Sequence, residues 1–163
     1  MEMFTSVMKI HYCKSWFSAR KIPLDSINEG EARALHEGEK PYTALIGDEL
    51  KPSCFVEMVI DKGMVGVGFL DDLLREYLTY QFQVTEDGRL FLSMATHREY
   101  DGNDDRVVKG TSYLFEESGK LAIEREAFDP YQMEEAHSEF DPSGNYEEIP
   151  SFGDYSKLIS RER

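Results

Sequence analysis

Leu78, Tyr80, Phe82 and Val84 alternate with Thr79, Gln81 and Gln83, and this period of two constrains the fold more than any other feature of the chain. It is the pattern of a β-strand with one face on a core and the other in water. Turn residues Glu86-Asp87-Gly88-Arg89 follow, and the alternation resumes with Leu90, Leu92 and Met94. A second copy comes later: Tyr113 and Phe115, a turn at Glu117-Ser118-Gly119-Lys120, then Leu121 and Ile123. Phe82, Val84, Gly88, Leu90 and Leu92 align on Tyr113, Phe115, Gly119, Leu121 and Ile123, each 31 residues on. Two successive hairpins predict an antiparallel meander. Two copies do not make a repeat array, which needs three or more units.

The rest of the chain is read around that centre. Val7, Lys9, His11 and Cys13 against Met8, Ile10 and Tyr12 predict an N-terminal strand. Pro23 and Asp25-Ser26 signal a loop and a helix start, and 27–35 reads as a short helix ending near Gly38. Pro41 and Pro52 bracket a stretch without a clear period. Residues 54–60 and 64–69, joined by Asp61-Lys62-Gly63, read as a further hairpin, with Gly66 and Gly68 weakening its second strand. Asp71–Glu76 reads as one or two helical turns capped by Asp71. The expected fold is therefore a single α+β domain spanning 1–163. It has a central antiparallel sheet of about six or seven strands, one or two short helices and an irregular C-terminal segment. Tyr80, Phe82, Val84, Leu90, Leu92, Tyr113, Phe115, Leu121 and Ile123 are the expected core.

Charge limits the function classes. The 163 residues carry 18 basic and 32 acidic side chains, a net charge of −14. That excludes a general polyanion binder, so neither nucleic acid nor an anionic membrane surface is an expected partner. The longest mostly apolar run, 63–70, falls far short of the roughly 20 residues of a spanning helix. Residues 1–18 lack the apolar stretch and cleavage site of an export signal. With only Cys13 and Cys54, too few for a disulfide framework or a zinc site, the expectation is a cytoplasmic protein with two core or half-buried thiols.

The chain holds few chemical motifs. Asp101, Asn103 and Asp105 alternate as in a calcium loop, but Arg106 stands where glycine is needed and Ser112 where a bidentate glutamate is needed. His11, His36, His97 and His137 form no metal-ligand spacing. There is no nucleophile elbow, phosphate loop or dinucleotide fingerprint. The adjacent acids Glu116/Glu117, Glu134/Glu135 and Glu147/Glu148 do not establish carboxylates placed across a cleft. No cofactor, metal site or catalytic residue is expected. The distinctive feature is 129–155, which holds eight carboxylates and no Lys or Arg, interleaved with Tyr131, Phe140, Tyr146, Phe152 and Tyr155. A solvating acidic tail would be poor in aromatics. The segment is expected to pack irregularly on the body and present carboxylates outward. Acidic fields speed encounter with cationic proteins, and aromatic side chains anchor interfaces. The expected partner-binding residues are Asp129, Tyr131, Glu134, Glu135, Glu139, Asp141, Glu147 and Glu148.

The hairpins 82–92 and 113–123, with the acidic run 129–154, give the chain a general character that resembles bacterial immunity proteins. These partner the toxins of contact-dependent inhibition, Rhs and type VI systems. The resemblance implies a non-enzymatic protein that binds one cognate toxin domain, often a basic nuclease, and blocks its active site. Two other classes stay open: a scaffold or self-associating subunit using a free sheet edge, and a ligand-binding or enzymatic domain with a pocket in a curved sheet involving His97.

Overall fold

The computed structural model describes residues 9–162. In chain order its elements are β1 (Ile10–Phe17), β2 (Ile22–Ile27), helix α1 (Glu29–Glu37), β3 (Tyr42–Gly47), β4 (Pro52–Val59), β5 (Met64–Leu70), β6 (Glu76–Val84) and β7 (Leu90–Tyr100). They continue with β8 (Val107–Phe115), β9 (Lys120–Ala127), β10 (Gln132–Glu139) and β11 (Tyr146–Glu147), and two 3-10 turns cover Ile60–Lys62 and Pro142–Asn145. All strands join one antiparallel sheet in the order β10-β9-β8-β7-β6-β5-β4-β3-β1-β2. Short β11 pairs with Leu90 and Phe91 of β7, beyond the point where the β8 register on β7 ends at Met94.

This corrects the expected α+β class with six or seven strands. Among the described residues the structure is 53% strand and 10% helical, with ten or eleven strands and a single short α-helix. The C-terminal segment is not wholly irregular either, because 132–139 is a full strand. Residues 71–75 form a turn instead of a helix. The Asp71 carboxylate accepts from the Leu73 and Arg75 N–H groups, and Leu74 adopts a left-handed φ of 60°. The bracketed stretch 42–47 is β3, buried along nearly its whole length. Of the N-terminal strand reading, Val7 and Met8 lie outside the described residues, and β1 itself runs on to Phe17.

The two aligned turns have the same bonding. Gly88 N–H donates to Thr85 O and Gly119 N–H to Glu116 O, each at 3.0 Å. Both glycines hold φ values (80° and 94°) that a side chain disfavours. The 31-residue offset is thus one hairpin geometry used twice.

One sheet face is covered. Tyr12, Tyr42, Val56, Val67, Tyr80, Phe82 and Leu92 lie in a core completed by Ala32 and Leu35 of α1 and by Phe152, Tyr155 and Leu158 of the C-terminal segment. Asn28 and Glu31 close a capping box that starts α1. Buried hydroxyls are satisfied in series: Tyr42 Oη lies 2.7 Å from His36 Nδ1 and 2.8 Å from Tyr155 Oη. On the opposite face a smaller cluster of Cys13, Trp16, Leu45, Phe55 and Leu70 covers the region around β1, β3 and β4. Both cysteines are buried and free. Toward β10 the cover ends. Val84, Tyr113, Phe115, Leu121 and Ile123, expected in the core, are only half-buried, and every residue of β10 is exposed. Among the described residues, no helix is long and apolar enough to cross a membrane.

Candidate functional site

The exposed end of the sheet is the β9–β10 hairpin. Its register is continuous, from Gln132 opposite Ala127 to Glu139 opposite Lys120. Alternation therefore sends Glu134 and Glu135 to opposite faces. Glu134 stands opposite Arg125, in the row that continues through Thr111 to His97 on the covered side. Glu135 stands opposite Glu124, in the row Ser112, Thr96, Thr79 and Gly68 on the open side. Like charges directly opposed across strands are destabilising, so the Glu124–Glu135 pair is a local cost to the fold. Glu135 Oε1 lies 2.7 Å from His137 Nε2, which offsets part of it.

At the hairpin tip, Phe128, Tyr131 and Met133 are 39%, 58% and 47% exposed, high values for large apolar groups that touch one another. The Phe128 and Tyr131 rings lie 5.6 Å apart, and Tyr131 Oη is 3.6 Å from Met133 Sδ. The Tyr131 hydroxyl donates to Glu126 Oε2 at 2.8 Å, and this bond raises its pKa. Asp129, with φ 73°, faces Arg106 at 3.6 Å. The apolar cluster thus has Glu126 against it, Asp129 with its Arg106 partner at the turn, and the Glu124–Glu135 pair one step further along the same face.

The expected partner-binding residues do not form one patch. Asp129, Tyr131, Glu134, Glu135 and Glu139 belong to the hairpin. Asp141 instead caps the following 3-10 turn, accepting from Ser143 N–H at 3.0 Å. Glu147 and Glu148 line a separate shallow cleft with Arg89, Tyr146 and Lys157, where the Arg89 guanidinium lies 4.2 Å over the Tyr146 ring. The sequence reading missed Glu124, Glu126, Phe128 and Met133. Extending the second hairpin past Ile123 to the turn at Asp129-Pro130 would have found them.

Two other concavities lie on the sheet, one on each face. A cavity of about 310 Å³ on the covered side is lined by Tyr80, Leu92, His97, Tyr113, Asn145 and Arg161, among others. Most of its polar groups already serve the fold. Tyr80 Oη donates to Ser160 O, Asn145 Nδ2 to Leu92 O, and Arg161 to Tyr77 Oη. On the open face a groove of about 230 Å³ holds Glu57, Glu76, Thr79, Gln81 and Arg98. Burial raises the Glu57 pKa, and the Glu76 charge adds to the shift.

Among the described residues, no three His, Cys, Asp or Glu side chains cluster to hold an ion. In the 101–105 loop, whose alternation resembles a calcium loop, Asp101 pairs with Arg106 and Asp105 with Lys21. No family model, curated protein or solved structure matches this chain.

Proposed function

We propose that this protein is a non-enzymatic binding module that occludes a basic protein partner, as an immunity protein does its cognate toxin. The observation that carries the reading is the solvent-exposed Phe128–Tyr131–Met133 cluster flanked by Glu126, on a hairpin that keeps an opposed Glu124–Glu135 pair. A soluble surface gains nothing from either feature. Together they make an apolar anchor beside acidic side chains, the arrangement that fits a cationic interface. The opposed glutamates would be relieved by a partner cation placed between them.

The test is affinity capture from the source cells at low salt, followed by one-to-one reconstitution with the basic protein retained. The expected result is a complex that weakens with salt and silences the partner's activity at equimolar ratio. Replacing Glu134 and Glu135 by Lys, or Tyr131 by Ala, should weaken it at least tenfold. Capture of no basic protein, or affinity indifferent to all three changes, refutes the reading. The cavity beside His97 favours a second reading as a small-ligand site. Its volume is at the low end for such sites, and its polar groups are largely committed.

A further inference from the structure

The two ends of the sheet are built differently. On β2, Pro23 carries no backbone donor and Asp25 turns left-handed at φ 54°, two features that interrupt a regular strand. β10 has neither defence. It pairs with β9 over eight residues with no register shift, and it contains no proline, lysine or arginine. Among the described residues no strand pairs with its outer side.

The backbone parity of that edge is fixed by two hydrogen bonds. Phe128 N–H donates to Val108 O, so even-numbered β9 residues turn their backbone groups toward β8 and odd-numbered ones toward β10. Phe140 N–H donates to Gly119 O, so the even-numbered residues of β10 face β9. Met133, Glu135, His137 and Glu139 are left to point their N–H and C=O groups outward.

Resting on the basic-partner reading above, we infer that β10 is a docking edge, which takes an extended, Lys- or Arg-bearing strand of the partner as the next strand of the sheet. Charge complementarity names the occupant. The hairpin 120–139 carries Glu124, Glu126, Asp129, Glu134, Glu135 and Glu139 against Lys120 and Arg125 alone. Side chains of an added strand alternate between the faces, so one basic strand meets Glu134 on one side and Glu135 on the other. No partner lying flat on either face reaches both. Backbone pairing supplies affinity, and the acids select the strand by charge. A second copy of this chain is the rival occupant, since pairing about Ala136 sets Glu135 opposite His137. At −14 per chain it meets strong repulsion.

The probes are three synthetic peptides: two Lys-Lys-Val-Val repeats (the Lys-Val peptide), which present lysines on both faces of a strand, two Glu-Glu-Val-Val repeats, and the Lys-Val peptide N-methylated throughout, which keeps its charge and loses its donors. The expected result is that only the unmethylated Lys-Val peptide slows amide exchange at Met133, Glu135, His137 and Glu139. His137→Pro removes one outward N–H and no ladder bond, so the sheet should survive while binding falls roughly tenfold or more. Equal binding of the methylated peptide, or full binding by His137→Pro, overturns strand addition but leaves acidic recognition standing. Binding unaffected by Glu134→Lys with Glu135→Lys overturns the basic-partner reading itself. Slowed exchange that rises with protein concentration alone assigns the edge to a second copy and overturns the inference.

Discussion

Gly68 is the position where the packing makes the sharpest demand on sequence. It lies on β5, in register with Phe55 of β4. A Cβ added there would sit 2.5 Å from Phe55 Cε2 and closer still to Cζ. The ring cannot swing freely. It is 4% exposed, stacked on Trp16 with centroids 6.1 Å apart, and enclosed by Leu45 and Leu70. Relief needs the ring to move by about an ångström into Trp16, an overpacking cost of about 1–3 kcal/mol. Against this, alanine recovers about 0.5–1 kcal/mol of unfolded-state entropy. Gly68→Ala should therefore destabilise by about 1–2 kcal/mol in urea unfolding, with the m-value unchanged. Phe55→Ala alone should cost about 3–5 kcal/mol. In that background the same Gly68→Ala should become stabilising by about 0.5–1 kcal/mol, giving a coupling near 2 kcal/mol. Gly66→Ala is the control. Its nearest neighbour is the Glu57 carboxylate oxygen at 3.2 Å, the far end of a flexible side chain, so the change should be neutral or stabilising by up to about 1 kcal/mol. A Gly68→Ala protein as stable as the parent, or a coupling near zero, would show that the Phe55 ring is not the constraint.

Burial raises the Glu57 pKa, so the native state holds that proton more tightly than the unfolded chain does. The contribution is present below the ordinary carboxylate value and lost as pH rises through the native one. Glu57→Gln should therefore stabilise at pH 7, and its advantage in thermal melts should shrink as pH falls toward 4.5. Tyr155→Phe removes one of two partners of the buried Tyr42 hydroxyl and should cost about 1 kcal/mol, read by urea unfolding. Burial pushes the Cys13 thiol up to about 11 and that of Cys54 up to about 12. Neither should react with a thiol reagent at pH 8 in the native protein, and both should react once it is unfolded.

What was legible in the sequence follows burial. β6 and β7 were read because Leu78, Tyr80, Phe82, Leu90 and Leu92 fill the covered face while Thr79, Gln81 and Gln83 do not. β3 was not, because both its faces are buried: Tyr42, Ala44 and Ile46 in the main core, Leu45 in the cluster with Trp16 and Phe55. A strand buried on both faces carries no period of two. β10 failed for the opposite reason. Neither face is buried, so Gln132–Glu139 shows no apolar alternation, and its strand comes from pairing with β9. The acidic character of the candidate site was plain from composition. Its geometry was not, because adjacent acids in a strand part to opposite faces, and Glu147 and Glu148 lie in another cleft altogether.

The Glu124–Glu135 pair separates a surface kept for binding from one kept for solubility. With Glu135 backbone groups turned outward, the two residues form a non-hydrogen-bonded pair, the closer of the two antiparallel spacings. Solubility alone would be served equally by a lysine at either position, which would add a cross-strand attraction of about 0.2–1 kcal/mol. Glu124→Lys should therefore raise stability by a few tenths of a kcal/mol in urea unfolding, after allowing for the screening of exposed charges. It should also weaken the basic-strand probe severalfold, because it places a cation where the partner's cation would sit. Glu117→Lys offers a control away from the pair, on the turn between β8 and β9, where Glu117 accepts from the Tyr146 hydroxyl. It should change probe binding far less at physiological ionic strength, since its field is screened over about 8 Å. If Glu124→Lys gained stability and kept full binding, the opposed glutamates would be a tolerated defect, and the recognition role would pass to the apolar tip alone.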